Sequence, residues 1–139
     1  MDTAPRIAPY LTVKGADDAI AYYRKAFDAQ ENARMPAQDG RRVMHAHLTI
    51  NGGTVMLSDE FEEFDGGSAP VPGRPSPVSI SVSYDRPDEV DAIFARAVSA
   101  GGKSVLDPHD AFFGARFAML EDPFGHRWML VAMLSQANA

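Results

Sequence analysis

His45 and His47 lie two positions apart in a stretch where Met44, Ala46, Leu48 and Ile50 take the alternate places. A strand has a period of two, so if the apolar set packs inward, both imidazoles project from the opposite face. Two imidazoles there could chelate a metal ion, act as a general base near neutral pH, or hydrogen-bond a ligand, water or a neighbouring strand. Chelation needs a third ligand, and His126 and His109 are the remaining histidines. The same alternation puts Tyr10, Met56, Ser79, Ser81 and Met129 on the side of the histidines. Ser79, Ser81 and Ser83 read as a polar wall; no His/Asp elbow signature accompanies them, so a serine nucleophile is not expected. Met56 and Met129 offer soft apolar contacts suited to an irregular ligand. Phe113, beside Phe112 and Gly114, is a candidate lid residue, and Arg116 a candidate clamp for an anionic group. The candidate ligand-binding set is therefore Tyr10, His45, His47, Met56, Ser79, Ser81, Phe113, Arg116 and Met129. The competing structural reading makes the methionines and phenylalanines core and Arg116 a surface residue.

These positions need elements to hold them. Ile7 to Val13 alternates as a strand, and Gly15 breaks it. Ala16 to Phe27 reads as a helix, with Ile20, Tyr23 and Phe27 as its stripe and Asp17 and Asp18 in the first turn. Strands follow over 30–35 and 42–50; Asn51-Gly52 is a tight hairpin turn, and Thr54 to Ser58 returns. Asp59 to Pro77 holds five acidic residues and four prolines and reads as a surface loop or linker. Val78 to Tyr84 is a strand, Asp85 a candidate cap, and 87–100 a helix with Pro87 in its first turn and Gly101-Gly102 after its end. Lys103 to Asp107 is a short strand. Arg116 to Glu121 and Arg127 to Ala132 form a hairpin around Asp122-Pro123-Phe124-Gly125, a type I turn pattern. Trp128 and Leu130 are expected to face the helices. Glu121 and Asp122 are read as turn residues, not an acid/base pair.

The halves run in step. Leu11 corresponds to Val82 and Ala16 to Pro87, each 71 positions on. One β-α-β-β-β unit used twice accounts for this. The expected architecture is α+β: modules over 5–58 and 78–134, joined by the acidic linker over 59–77, forming an eight-stranded curved mixed sheet with helices on the convex face and a cup on the other.

The totals narrow the function. The 139 residues contain no cysteine, which removes disulfides, thiolate metal sites and a cysteine nucleophile, and suits a reducing cytoplasm. A formal charge of −6 disfavours nucleic acid and anionic membrane as partners. No apolar run approaches the roughly 18 residues of a bilayer span, and the opening residues lack a signal-peptide pattern.

The segments PYLTV…ADDAIAYYRKAF, MHAHLTINGGTVMLSDE, VSISVSYD…EVDAIFARAVSAGGK and FFGARFAMLEDPFGHRWML resemble the glyoxalase/bleomycin-resistance (vicinal oxygen chelate) superfamily, and within it the PhnB-like branch. That superfamily hosts lyases, isomerases, dioxygenases and drug-sequestering proteins, so the resemblance names no reaction. It implies a homodimer. Some relatives in that branch carry labels of ubiquinone methyl transfer; Gly101-Gly102 ends a helix and precedes a strand, the wrong setting for a methyl-donor turn. Metal-using relatives take His, Gln or Glu from positions that fall here at Ala8, Met56, Ser79 and Met129. None of these suits a hard divalent ion. The leading expectation is a small-molecule binding protein without the usual metal and without a cofactor. The alternatives are a metal-dependent lyase, isomerase or dioxygenase with a relocated site at His45/His47, and a metal-free enzyme with a histidine base.

Overall fold

The computed structural model describes residues 4–64, 66–71 and 73–134. Module one runs β1 (Tyr10–Val13), α1 (Ala16–Phe27), β2 (Gln30–Pro36), β3 (Val43–Ile50) and β4 (Gly53–Asp59). Module two runs β5 (Ser79–Ser83), α2 (Pro87–Ser99), β6 (Lys103–Asp110), β7 (Ala115–Glu121) and β8 (Arg127–Met133). The eight strands form two four-stranded mixed sheets, ordered β1-β4-β3-β2 and β5-β8-β7-β6. In each, the first strand is parallel to the last and the other pairs are antiparallel. This is the α+β architecture expected from the repeat, with the sheet divided at the seam between β1 and β5.

Outer strands β2 and β6 carry Pro36 and Pro108 and show register shifts in their pairing. Proline lacks the N–H a ladder needs and is at home on an edge, where it also discourages pairing with another chain. The shift beside Pro36 corrects one detail of the inward set. Pro36 pairs with Val43 and Met35 with His45, so Val43 is buried in place of Met44. The strand expected over 103–107 continues to Asp110.

The first helix presents its predicted stripe; in the second, the helical period points to Val90, Ile93, Phe94 and Ala97, of which Ile93 is only partly buried. Ile20, Tyr23 and Phe27 are buried in α1, and Val90, Phe94 and Ala97 in α2; one core cluster gathers them with Trp128 and Leu130. Phe27 and Trp128 pack with ring centroids 4.5 Å apart, so α1 seals against the second module's sheet. Tyr22 donates to the Ala97 carbonyl at 2.9 Å, tying α1 to α2. A Cβ at Gly102 would lie 2.7 Å from that hydroxyl oxygen, which is why the chain leaving α2 needs glycine there.

Two buried carboxylates organise the chain. Asp59 Oδ1 accepts the N–H groups of Gly15 and Ala16 at 2.9 Å each, and Oδ2 accepts that of Val43 at 2.7 Å. A residue distant in sequence thus caps α1, whose N-cap position is a glycine without a side-chain acceptor. Asp59 is the last residue of β4, not the first of the acidic loop. The N-cap of α2 is Arg86 rather than Asp85, because Pro87 occupies the first helical position; Glu89 closes the cap by accepting the Arg86 N–H at 3.0 Å. In the linker, Arg42 bonds Glu63 and lies 4.3 Å over the ring of buried Phe61, which holds the short 3₁₀ turn Glu62–Phe64 against module one.

Candidate functional site

The sheet faces turned away from the core form the candidate site. On module one, Tyr10 lies beside Met56, Met56 beside His47, and Met35 beside His45. The Tyr10 hydroxyl hydrogen-bonds His45 Nδ1 at 2.9 Å, so the phenol fixes the imidazole across β4. On module two, Ser79 lies beside Arg127, Ser81 beside Met129, Met129 beside Met119, and Met119 beside Leu106. Tyr10, His45, His47, Met56, Ser79, Ser81 and Met129 therefore all occupy the open faces, as the alternation predicts, on two sheets flanking one seam.

The open faces are richer in methionine than the sequence reading foresaw. Met35, Met56, Met119, Met129 and Met133 all lie there, five of the chain's seven. Met35 is 57% exposed and Met133 49%. Met133 alternates with Met129, already assigned outward, and was overlooked; Met35 and Met119 were missed because their facing is set by cross-strand register to His45 and Met129. Flexible thioethers leave such a surface able to fit irregular apolar shapes.

Two candidate residues sit elsewhere. Arg116 faces the helix side, in phase with Ala118 and Leu120; its Nε donates to Asp91 of α2 at 3.0 Å and its Nη1 to Asp110 at 3.1 Å. Asp91 and Asp110 satisfy its fork and stabilise its charge, so it is a module-two tie and not a clamp in the cup. Phe113 lies in the β6–β7 turn at the rim, half-exposed, edge-on to Phe117 with centroids 5.8 Å apart. Its neighbour Phe112 is 100% exposed.

The other histidines are engaged away from the His45/His47 strand. His126 Nε2 reaches the Thr12 carbonyl at 2.9 Å, and His109 Nδ1 lies 2.8 Å from the Asp107 carbonyl of its own strand. Among the described residues no three His, Asp or Glu side chains converge as a metal site. At the positions where the resemblance implies metal ligands, the open faces present Met56, Ser79 and Met129, preceded by Ala8 before β1. A thioether, a hydroxyl and a methyl group do not fit a hard divalent ion.

Asp122 is the second organising carboxylate, and the turn reading understated it. Its Oδ2 accepts the Tyr23 hydroxyl at 2.5 Å and Trp128 Nε1 at 2.9 Å, and its Oδ1 accepts the N–H groups of Phe124 and His126 at 2.9 and 3.0 Å. Burial, then the adjacent Asp122 charge, pushes the Tyr23 phenol well above its ordinary range. Tyr23 lies 99 residues earlier, a partnership no local pattern reveals.

Two β-α-β-β-β modules, with helices packed on one side of the sheets and methionine- and histidine-bearing faces open on the other, define a two-module α+β protein. The chain belongs to the Glyoxalase/Bleomycin resistance protein/Dioxygenase superfamily, whose defining sequence pattern matches residues 4–130. It is 39% identical to protein Mb0911c of Mycobacterium bovis over 142 aligned residues, 99% of this chain and 90% of that one. Among solved structures, protein SA1046 of S. aureus is 25% identical with a TM-score of 0.71, covering 94% of this chain and 95% of that one. The PhnB protein of Bacillus cereus is 22% identical with a TM-score of 0.71, covering 94% and 100%. Among the described residues, no helix is long and apolar enough to cross a membrane.

Proposed function

We propose that this chain is a metal-independent small-molecule binding protein of the superfamily, close to its PhnB-like branch and working in the cytoplasm. The observation that carries the reading is the Tyr10–His45 pair, set beside His47 on a methionine-rich open face where, among the described residues, no third ligand converges. A hydroxyl-held imidazole orients a polar group of the ligand, and the thioethers of Met56 and Met129 cover its apolar part. The ligand is a small molecule; the net charge of −6 works against nucleic acid and anionic membrane.

The protein is a homodimer in this reading. Outer edges β2 and β6 are interrupted at Pro36 and Pro108, so a second copy covers the open faces rather than extending either sheet. Exposed Tyr10, Met35, Leu106, Phe113 and Met133 supply the apolar surface.

Metal analysis of protein purified without chelators tests the assignment. The expected content is far below one ion per chain, with ligands from a small-molecule panel raising the melting temperature of the wild type and not of His45→Ala. One ion per chain that disappears in His47→Ala overturns it in favour of the relocated metal site.

A further inference from the structure

The seam between the modules contains a slot separate from the histidine-bearing face. Asn51 Nδ2 donates to the Ser83 carbonyl at 2.6 Å at one end, and His126 joins Thr12 at the other. Between these ties β1 and β5 are not paired. At the Asn51 end lies a cavity of about 330 Å³ whose walls include Ile50, Val55, Ile80, Val82 and Trp128. Pro9, Asn51, Gly53, Thr54, Ser81 and Ser83 complete the lining, so no charged side chain is among it.

Backbone direction decides what this slot offers. The N–H of Tyr84 bonds the Val131 carbonyl, so on β5 the even-numbered residues turn their backbone groups toward β8. Ser81 is out of phase with them, and its N–H and C=O point across the seam, as the Ser83 carbonyl does in meeting Asn51. The slot therefore combines apolar walls with one open β-edge position carrying a donor and an acceptor at peptide spacing. An ion entering would lose water without a compensating charge. A neutral amide would match both backbone groups of Ser81.

We propose that this seam slot binds a small uncharged molecule bearing a carboxamide, with the amide bridging to the Ser81 backbone and an apolar flank against Pro9 and Ile80, the accessible apolar residues of the lining. The volume holds about ten waters at roughly 30 Å³ each, enough for an amide joined to a single ring.

Trp128 is the chain's one tryptophan, so its fluorescence reports on the slot. The probe is 4-nitroacetanilide, a neutral amide whose ring absorbs tryptophan emission, compared with the 4-nitrobenzoate anion and the 4-nitrobenzylamine cation. The expected result is saturable quenching by the amide, with affinity at least about tenfold weaker for either ion. Gly53→Leu blocks the mouth: Gly53 is exposed, and its Cβ would meet just the Ile50 carbonyl at an ordinary 3.6 Å. This variant loses the saturable quenching. Ser81→Pro removes an N–H the β5–β8 ladder does not use and weakens binding about tenfold, whereas Ser81→Ala retains it. If Ser81→Pro does not fold, Gly53→Leu decides. Equal affinity for all three probes, no saturation, or undiminished binding in Gly53→Leu overturns the proposal. So does quenching that vanishes in His45→Ala, which places the probe on the open face.

Discussion

The imidazole Nε2 of His126 donates a hydrogen bond across the module seam to the backbone carbonyl of Thr12, 2.9 Å away. A carbonyl can only accept, so Nε2 carries the hydrogen. The bond has a counterpart in the Asn51–Ser83 contact, also made by a residue near the hairpin turn of one module to the first strand of the other. Thr12 and Ser83 are separated by the same 71 positions that relate the two modules. The repeat is thus visible in tertiary contacts as well as in element order, and the two ties hold the seam from opposite ends.

His126→Ala and Asn51→Ala should each lower unfolding free energy by about 1 kcal/mol, the typical net value of one hydrogen bond. Because the ties are at opposite ends of the seam, their effects should add. Urea denaturation of the single and double variants measures this. A double variant as stable as the wild type would show that neither tie holds the seam.

Asp122→Asn should be far more damaging. The carboxylate accepts four hydrogen bonds from three directions, and an amide turns a donor toward groups that are themselves donors. Loss of charge-assisted bonds with buried donors left unmatched is expected to cost about 3 kcal/mol or more. The checks are the shift of the denaturation midpoint and a change in Trp128 emission, since Trp128 Nε1 loses its partner. Unaltered emission with wild-type stability would contradict the described hub.

Alkaline pH should unfold the protein through its tyrosines. Burial pushes Tyr84 up to about 12 from an ordinary value near 10 and raises Tyr22 and Tyr23 as well, with Asp122 adding to both of the latter. Each folded-state value lies above its unfolded value, so the stabilisation is complete below pH 10 and is lost as pH climbs. Each such tyrosine contributes a slope approaching 1.4 kcal/mol per pH unit once its unfolded form ionises. Tyr84→Phe should flatten the stability curve between pH 10 and 12. A profile level from pH 9 to 12 in the wild type would contradict this burial pattern.

If the proposed homodimer forms through the open faces, charges placed there should separate its copies without unfolding either. Leu106→Glu and Met133→Glu alter exposed side chains, so stability should stay within about 0.5 kcal/mol of the wild type. Sedimentation should show the mass falling from dimer to monomer in the double variant. A dimer that survives both charges would rule out the open faces as its interface, and a monomeric wild type would overturn the proposed homodimer.

Local order was readable from the chain alone. Period-two alternation placed His45 and His47 opposite Ala46 and Leu48, and period-3.6 stripes located both helices and, Ile93 apart, their buried residues, because neighbours along one element share its geometry. Arg116 shows how the same signal can be overlooked: it alternates with Ala118 and Leu120, so its inward phase was present in the sequence, but its partner Asp91 on α2 was not evident.

What the sequence determined by itself is the two-module plan, most of the inward stripes and the outward histidines. Tertiary structure alone decided that Asp59 caps α1, that Asp122 joins Tyr23 to Trp128, that five methionines share the open faces, and that a slot lies between β1 and β5. The physical reason is range. Side-chain periodicity depends on a few bonds of backbone geometry, whereas a hydrogen bond spanning 99 residues exists only once two packed modules bring its ends together.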